Sequence, residues 1–245
     1  SPVLFPIVGT LKADTFYYGN QAYGLGRHGF AREMEFKASI QNDQSITFML
    51  ESTEETLIRY PFDFKLDIKY ELSGNRLMVT YHVSNTGTVP MYFSIGGHPA
   101  FKVPLVAGNN YNDYYLEFNK LEKAGKWPIS KDGLIEATPV ELLNNTGRLP
   151  LTKELFENDA LVFKGLSSND VTLKTHKDEH GLSFDFTGFP YLGIWAAKNA
   201  DFVCIEPWCG IADSVNTDQQ LVNKEGIQQL QPGKNFERTW SVTMF

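Results

Sequence analysis

The chain has 245 residues, with 22 lysines and arginines against 29 aspartates and glutamates, for a formal net charge of −7. That acidity excludes a binder of phosphate backbones, which needs a basic excess, and no apolar run approaches the roughly 18 residues of a membrane helix. The length suits one large all-β domain spanning 1–245, and 18 Phe, 11 Tyr and 4 Trp supply its core.

Taken in chain order, Ser1 opens directly into the apolar segment Pro2-Val-Leu-Phe-Pro-Ile-Val8, which reads as a chain whose natural beginning is missing. Alternation of apolar and polar residues predicts strands at 45–50, 76–83, 170–175 and 182–187. The more apolar runs 160–163, 191–195, 202–205 and 238–245 read as strands between two layers. Turn signals separate them, among them Ser73-Gly-Asn75, Asp132-Gly133 and Gln231-Pro-Gly-Lys234. Residues 102–158 read as loops with short strands, and the helix candidates are the short stretches 151–157 and 217–223. With no linker and no repeat, the pattern predicts an all-β sandwich or barrel in one domain.

Two segments place an ionisable group immediately before proline: Ser94-Ile-Gly-Gly-His-Pro-Ala-Phe101 and Phe202-Val-Cys-Ile-Glu-Pro-Trp208. Proline cannot donate to a sheet ladder, so both strands are expected to stop there and present His98 and Glu206 at a sheet rim. One histidine and one carboxylate suffice for acid–base chemistry. Gly96 and Gly97 remove bulk beside His98, which suits either a ligand or a tightly packed bulge. Glu206 shares an otherwise apolar face with Phe202 and Cys204; it is either a structural ion-pair partner or a carboxylate raised in pKa by desolvation. Trp208 beside it suits the apolar face of a sugar ring and equally suits a core. A third cluster, Gly26-Arg-His-Gly-Phe-Ala-Arg32, offers Arg27, His28 and Arg32 as donors for hydroxyls or a phosphate. His82 falls on the polar face of a strand, and His176 and His180 lie in a charged turn that reads as solvated loop. Cys204 and Cys209 lack zinc spacing and read as reduced thiols of a cytosolic protein. No nucleotide loop, nucleophile elbow or metalloprotease helix is present.

His28-Gly-Phe-Ala-Arg32, Gly96-Gly-His-Pro-Ala-Phe101 and Ile205-Glu-Pro-Trp208, in this order and spacing, resemble the aldose 1-epimerases (galactose mutarotase-like proteins), and most of all their shorter LacX-like branch, whose members also carry a segment like Pro2-Val-Leu-Phe-Pro-Ile-Val-Gly9. The resemblance runs over the whole chain and implies a large antiparallel β-sandwich, with a strand or two missing before Ser1 and a sugar site on a concave sheet. It implies a cytoplasmic monomer or homodimer that needs no metal or other cofactor. Its partner would be a small sugar or sugar phosphate, with no nucleic acid and no membrane. His98 matches the family's general acid, Glu206 its general base, and His28 a second histidine at the ring oxygen or a neighbouring hydroxyl. Asp159 resembles an aspartate that binds sugar hydroxyls, and Arg32 an arginine of the related hexose-6-phosphate epimerases. Relatives often carry arginine where this chain has Thr10, which leaves a substrate-binding arginine either absent or supplied by Arg27 or Arg32 and the substrate's identity open. The alternatives are a hexose-6-phosphate 1-epimerase, a non-catalytic sugar-binding or sensing protein, and a glycoside hydrolase pairing Glu206 with Asp159 or Asp185.

Overall fold

Apolar residues recur at every second position along much of the chain, and a run of that period buries one face only by pairing with neighbours. In a computed structural model that describes residues 1–245, nineteen strands follow one another. They are β1 (Val3–Leu4), β2 (Thr15–Tyr18), β3 (Gln21–Gly24), β4 (Lys37–Gln41), β5 (Ser45–Glu51), β6 (Phe64–Ser73), β7 (Arg76–Asn85), β8 (Met91–Phe93), β9 (Ile95–Gly97) and β10 (Ala100–Lys102). The second half adds β11 (Tyr114–Lys126), β12 (Val140–Pro150), β13 (Leu161–Lys164), β14 (Asp170–Thr175), β15 (Leu182–Asp185), β16 (Tyr191–Trp195), β17 (Phe202–Cys209), β18 (Gln228–Leu230) and β19 (Asn235–Met244). Nine form one antiparallel sheet in the order β12-β11-β14-β15-β19-β7-β6-β5-β4, and a smaller sheet runs β1-β9-β17-β16-β13, with β10 also paired to β17. The expected antiparallel sandwich is what forms.

The two sheets share a core of 47 buried residues, in which Leu66, Tyr81, Phe184 and Trp240 of the large sheet meet Ile95, Phe163, Ile194 and Ile205 of the small one. The opposite face of the small sheet is also buried in part: Leu4, Val162 and Trp208 pack there with Val8, Ile135, Ile211 and Ala212. Side chains alternate along β17, so Ile205 and Cys209 join the sandwich core while Cys204, Glu206 and Trp208 face the other way.

Three expectations change. Residues 102–158 hold two of the longest strands, β11 with 13 residues and β12 with 11. Register shifts between Glu117 and Glu122 and again near Gly125 break their alternation, which hides a strand from any period-two reading. The helix candidates contain only 3-10 turns at Lys153–Phe156 and Leu221–Asn223, whereas an α-helix, α1 (Glu54–Arg59), starts at a reciprocal Thr53–Thr56 capping box. Finally, β9 stops before His98-Pro99 as expected, but β17 runs on through Pro207. On that side of β17, residues 202–204 pair with β10 and residues 208–209 with β9. Ile205 donates across the same side to Pro99 O at 3.2 Å, so the donor that Pro207 lacks falls at the handover between the two partners and no ladder bond is lost.

Candidate active site

The handover leaves a seam in the small sheet, and His98 and Pro99 lie in it as the link between β9 and β10. Gly96 and Gly97 make the approach possible. A methyl at Gly96 would come 2.6 Å from Trp208 Cδ1, and one at Gly97 would come 2.7 Å from the Tyr81 hydroxyl. β1 braces the glycines from outside, pairing Val3 with Gly97 and Leu4 with Gly96, and the His98 amide donates to Pro2 O at 3.2 Å. On the seam's other bank, Glu206 is paired with Gly193 of β16.

The result is that His98 Nε2 lies 3.3 Å from Glu206 Oε1, with the Glu206 side chain 3% exposed and that of His98 20%. Both line a cavity of about 430 Å³, walled also by Arg27, His28, Arg32, Asp159, Trp195, Lys198 and Trp208, within the size range of small-molecule sites. The seven residues singled out in the sequence therefore meet in one place. Asp185 does not join them: it lies on β15 in the large sheet. His82 lies near Asp67, and His176 stacks on Tyr115, both away from the cavity.

His28 is fixed by its own loop. Its Nδ1 accepts a hydrogen bond from the Gly9 amide at 3.0 Å, and its own amide returns one to Gly9 O at 2.8 Å. Nδ1 is thus an acceptor, which leaves Nε2–H as the donor of a neutral ring. Burial, then the Arg27, His98 and Arg32 charges, push its pKa down to about 3. His28 and Asp159, two of seven non-glycine residues with positive φ, are both held in left-handed backbone conformations, at φ 71° and 72°, a strain of roughly 1–2 kcal/mol each.

Asp159 takes Arg27 in a two-pronged pair, with Nη1–Oδ2 and Nη2–Oδ1 both 3.3 Å, and also accepts the Ala160 amide at 2.8 Å. Arg32 donates to the carbonyl of Arg27 at 3.1 Å. Thr10 packs its hydroxyl against Gly133, and the guanidinium groups in the cavity wall are those of Arg27 and Arg32. Burial holds the Glu206 carboxyl well above the usual range; Arg27 and the nearby Trp208 indole pull it down, and Asp159 pushes it up. The Trp208 Nε1 makes no hydrogen bond of ordinary geometry; it acts on Glu206 as a nearby dipole. Burial also lowers the His98 pKa, opposed by its own backbone and reinforced by Arg32 and Arg27. Desolvation thus works against charge on both members of the pair.

Trp195 and Lys198 were not singled out in the sequence. Trp195 lies opposite Cys204 on β16, with its ring centroid 5.7 Å from that of His98. Only the strand register could have placed it there.

A buried ion pair organises the wall behind His28. Lys224 Nζ donates to Asp213 Oδ1 at 2.7 Å, with both side chains 3% exposed. Asp213 also accepts the Lys12 amide at 3.0 Å through Oδ2, and its own amide donates to Thr10 O at 2.9 Å. This holds the Ala212-Asp213 backbone hard against Gly9, where a methyl would come 2.4 Å from Ala212 Cβ. The segment that fixes the His28 tautomer is thereby clamped from behind.

Comparison with known proteins gives these residues a family. The sequence profile described as aldose 1-epimerase matches residues 14–243. The chain belongs to the aldose 1-epimerase family. It is 34% identical over its whole length to the protein LacX (plasmid) of Lactococcus lactis subsp. lactis, covering 85% of that protein. Among solved structures, this aldose 1-epimerase family member is similar to a galactose mutarotase related enzyme from Lactobacillus acidophilus, with a TM-score of 0.93 and 38% identity over all of this chain and 82% of that one. A galactose mutarotase-like protein from Lactobacillus casei gives a TM-score of 0.90 and 29% identity, over all of this chain and 84% of that one. The antiparallel sandwich is thus the fold of galactose mutarotase-like proteins.

Proposed function

We propose that the chain interconverts the α and β anomers of a hexose, with Glu206 as the base at the anomeric hydroxyl and His98 as the acid at the ring oxygen. The observation that carries this reading is the buried His98–Glu206 pair, 3.3 Å apart on the wall of a sugar-sized cavity. Glu206 takes the C1 hydroxyl proton while His98 delivers one to the ring oxygen. The bond from C1 to the ring oxygen breaks, and C1 becomes a carbonyl. After rotation about C1–C2 the ring oxygen attacks the other face, and the two groups return the protons in reversed roles. His28 contributes a fixed Nε2–H donor, Asp159 an acceptor for hydroxyls, and Trp208 and Trp195 apolar surface for the ring.

Because burial opposes charge on both groups, the pair is best satisfied holding one proton between them. That is also the competent state, once His98 carries the proton and Glu206 does not. The activity then follows a bell with a broad plateau whose limbs belong to the pair.

His98→Ala and Glu206→Gln are each expected to lower anomer exchange by about 10²–10⁴-fold with the fold intact, read by polarimetry or NMR exchange over a panel of hexoses. If no sugar equilibrates faster with the wild-type chain than in buffer, the reading fails. A second reading, a hexose phosphate as substrate, is favoured by one observation: Arg27, Arg32 and Lys198 bring three cations to the cavity wall against the two carboxylates Asp159 and Glu206. A higher kcat/KM for glucose 6-phosphate than for glucose, lost in Arg32→Ala, would choose it.

A further inference from the structure

One group beside the acid–base pair has no part in the reaction. Cys204 precedes Glu206 by two residues on β17, so its thiol faces the same side, and strand pairing sets it opposite Ala100, two residues beyond His98. The side-chain ligand atoms of His98, Cys204 and Glu206 all lie within 4.8 Å of one another, two of them at 3.3 Å. The other cysteine, Cys209, lies on the core face of the same strand, with its sulfur 3.9 Å from Gly188 O.

We propose that His98, Cys204 and Glu206 together form a site for a thiophilic divalent cation of the Zn²⁺ class, whose occupancy shuts the sugar site. One sulfur, one imidazole nitrogen and one carboxylate oxygen are a donor set that zinc takes, at about 2.3 Å to sulfur and about 2.0–2.2 Å to nitrogen and oxygen. Ligands at those lengths around a tetrahedral ion stand about 3.5 Å apart. The imidazole and carboxylate already meet that spacing, and the sulfur reaches it by a shift of about an ångström. His98 and Glu206 line the cavity whereas Cys204 lies behind them, so the fourth position opens toward the cavity, where water completes the shell. The thiol gives up its proton to solvent as the metal binds. A cation seated there occupies both groups that move protons, and metal and sugar exclude one another. The inhibitory consequence rests on the proposed acid–base roles; the site itself does not.

The experiment separates the two. Untagged chain, stripped with a chelator and kept reduced with a non-coordinating phosphine, is titrated with CoCl₂ and then with ZnCl₂. The expected result is one cobalt per chain, with a thiolate-to-cobalt charge-transfer band in the near ultraviolet that zinc abolishes. The band should vanish in Cys204→Ala and persist in Cys209→Ala. Absence of the band in the wild type, or its survival in Cys204→Ala, overturns the site. In the anomerisation assay, Zn²⁺ is expected to inhibit the wild type competitively with sugar and reversibly on chelation. Cys204→Ala should keep the uninhibited rate and need at least tenfold more Zn²⁺ for half-inhibition; equal sensitivity of the two proteins also overturns the proposal. Should Cys204→Ala fail to fold, the near-isosteric Cys204→Ser gives the same two readings. A chain that binds cobalt through Cys204 yet anomerises no sugar would refute the catalytic roles and leave the site standing.

Discussion

His28 is neutral in the folded chain because burial and three neighbouring cationic or imidazole groups hold its pKa at about 3, against an ordinary value of 6.5. A depressed folded pKa contributes stability that is complete above the unfolded value and is lost as pH falls from there toward the folded one. At 1.36 kcal/mol per pH unit, the fold should lose about 2 kcal/mol to this group between pH 6.5 and pH 5. Urea titrations of His28→Gln are expected to show that slope removed; an unchanged slope would mean the ring is not the group responsible. Arg27 acts on the His98–Glu206 pair in the same electrostatic way, since its charge lowers both pKa values. Arg27→Met should therefore move both limbs of the kcat/KM profile to higher pH, and a shift of either limb downward would contradict the assignment. At this scale much was legible. His98 and Glu206 stood out because a charged group on an apolar strand requires an explanation, and Arg27, His28 and Arg32 because donors among glycines do. Trp195 and Lys198 were invisible, since nothing local distinguishes a wall aromatic from a core one until the register is known.

Among the elements, the Lys224–Asp213 pair shows how a buried charge is tolerated. Burial lowers the Lys224 pKa, while Asp213 and then Glu225 hold it up, and Asp213 in turn fastens the Thr10–Lys12 backbone. Removing only the lysine leaves a buried carboxylate without its counter-ion, a loss of about 3–5 kcal/mol. Lys224→Met should lose that much in a denaturant titration, and the paired change Asp213→Asn with Lys224→Met should recover a large part of it. If single and double variants are equally unstable, the charge is not what the pair supplies. Neither residue could be read from the sequence, because each looks like ordinary surface charge in a loop. The strands divide the same way. β7, β14 and β15 kept their period and were readable, whereas the bulges of β11 and β12 dispersed theirs, and the buried Glu122, held by the amides of Ser167 and Ser168, looked like one more exposed acid. Pro207 misled in the opposite direction: a strand survives a proline when the missing donor points into a seam, and seams are a property of partners, not of sequence.

For the molecule as a whole, the all-β sandwich was legible because so many period-two runs leave few other ways to bury a face. Which sheet would bear the site was not, since that depends on pairing between distant segments. The seam has a dynamic consequence. Glu206 is anchored mid-strand, with β16 laddered along one side, whereas His98 hangs in the link between β9 and β10, its amide donating to Pro2 O outside any ladder. Glu206 is therefore the anvil and His98 the compliant arm. Amide exchange should release His98 well ahead of Glu206, and the reverse order would refute this asymmetry. In the proposed reaction the anomeric carbon swings from one face to the other, so the adjustment would fall to the histidine while the strand that carries the carboxylate stays still.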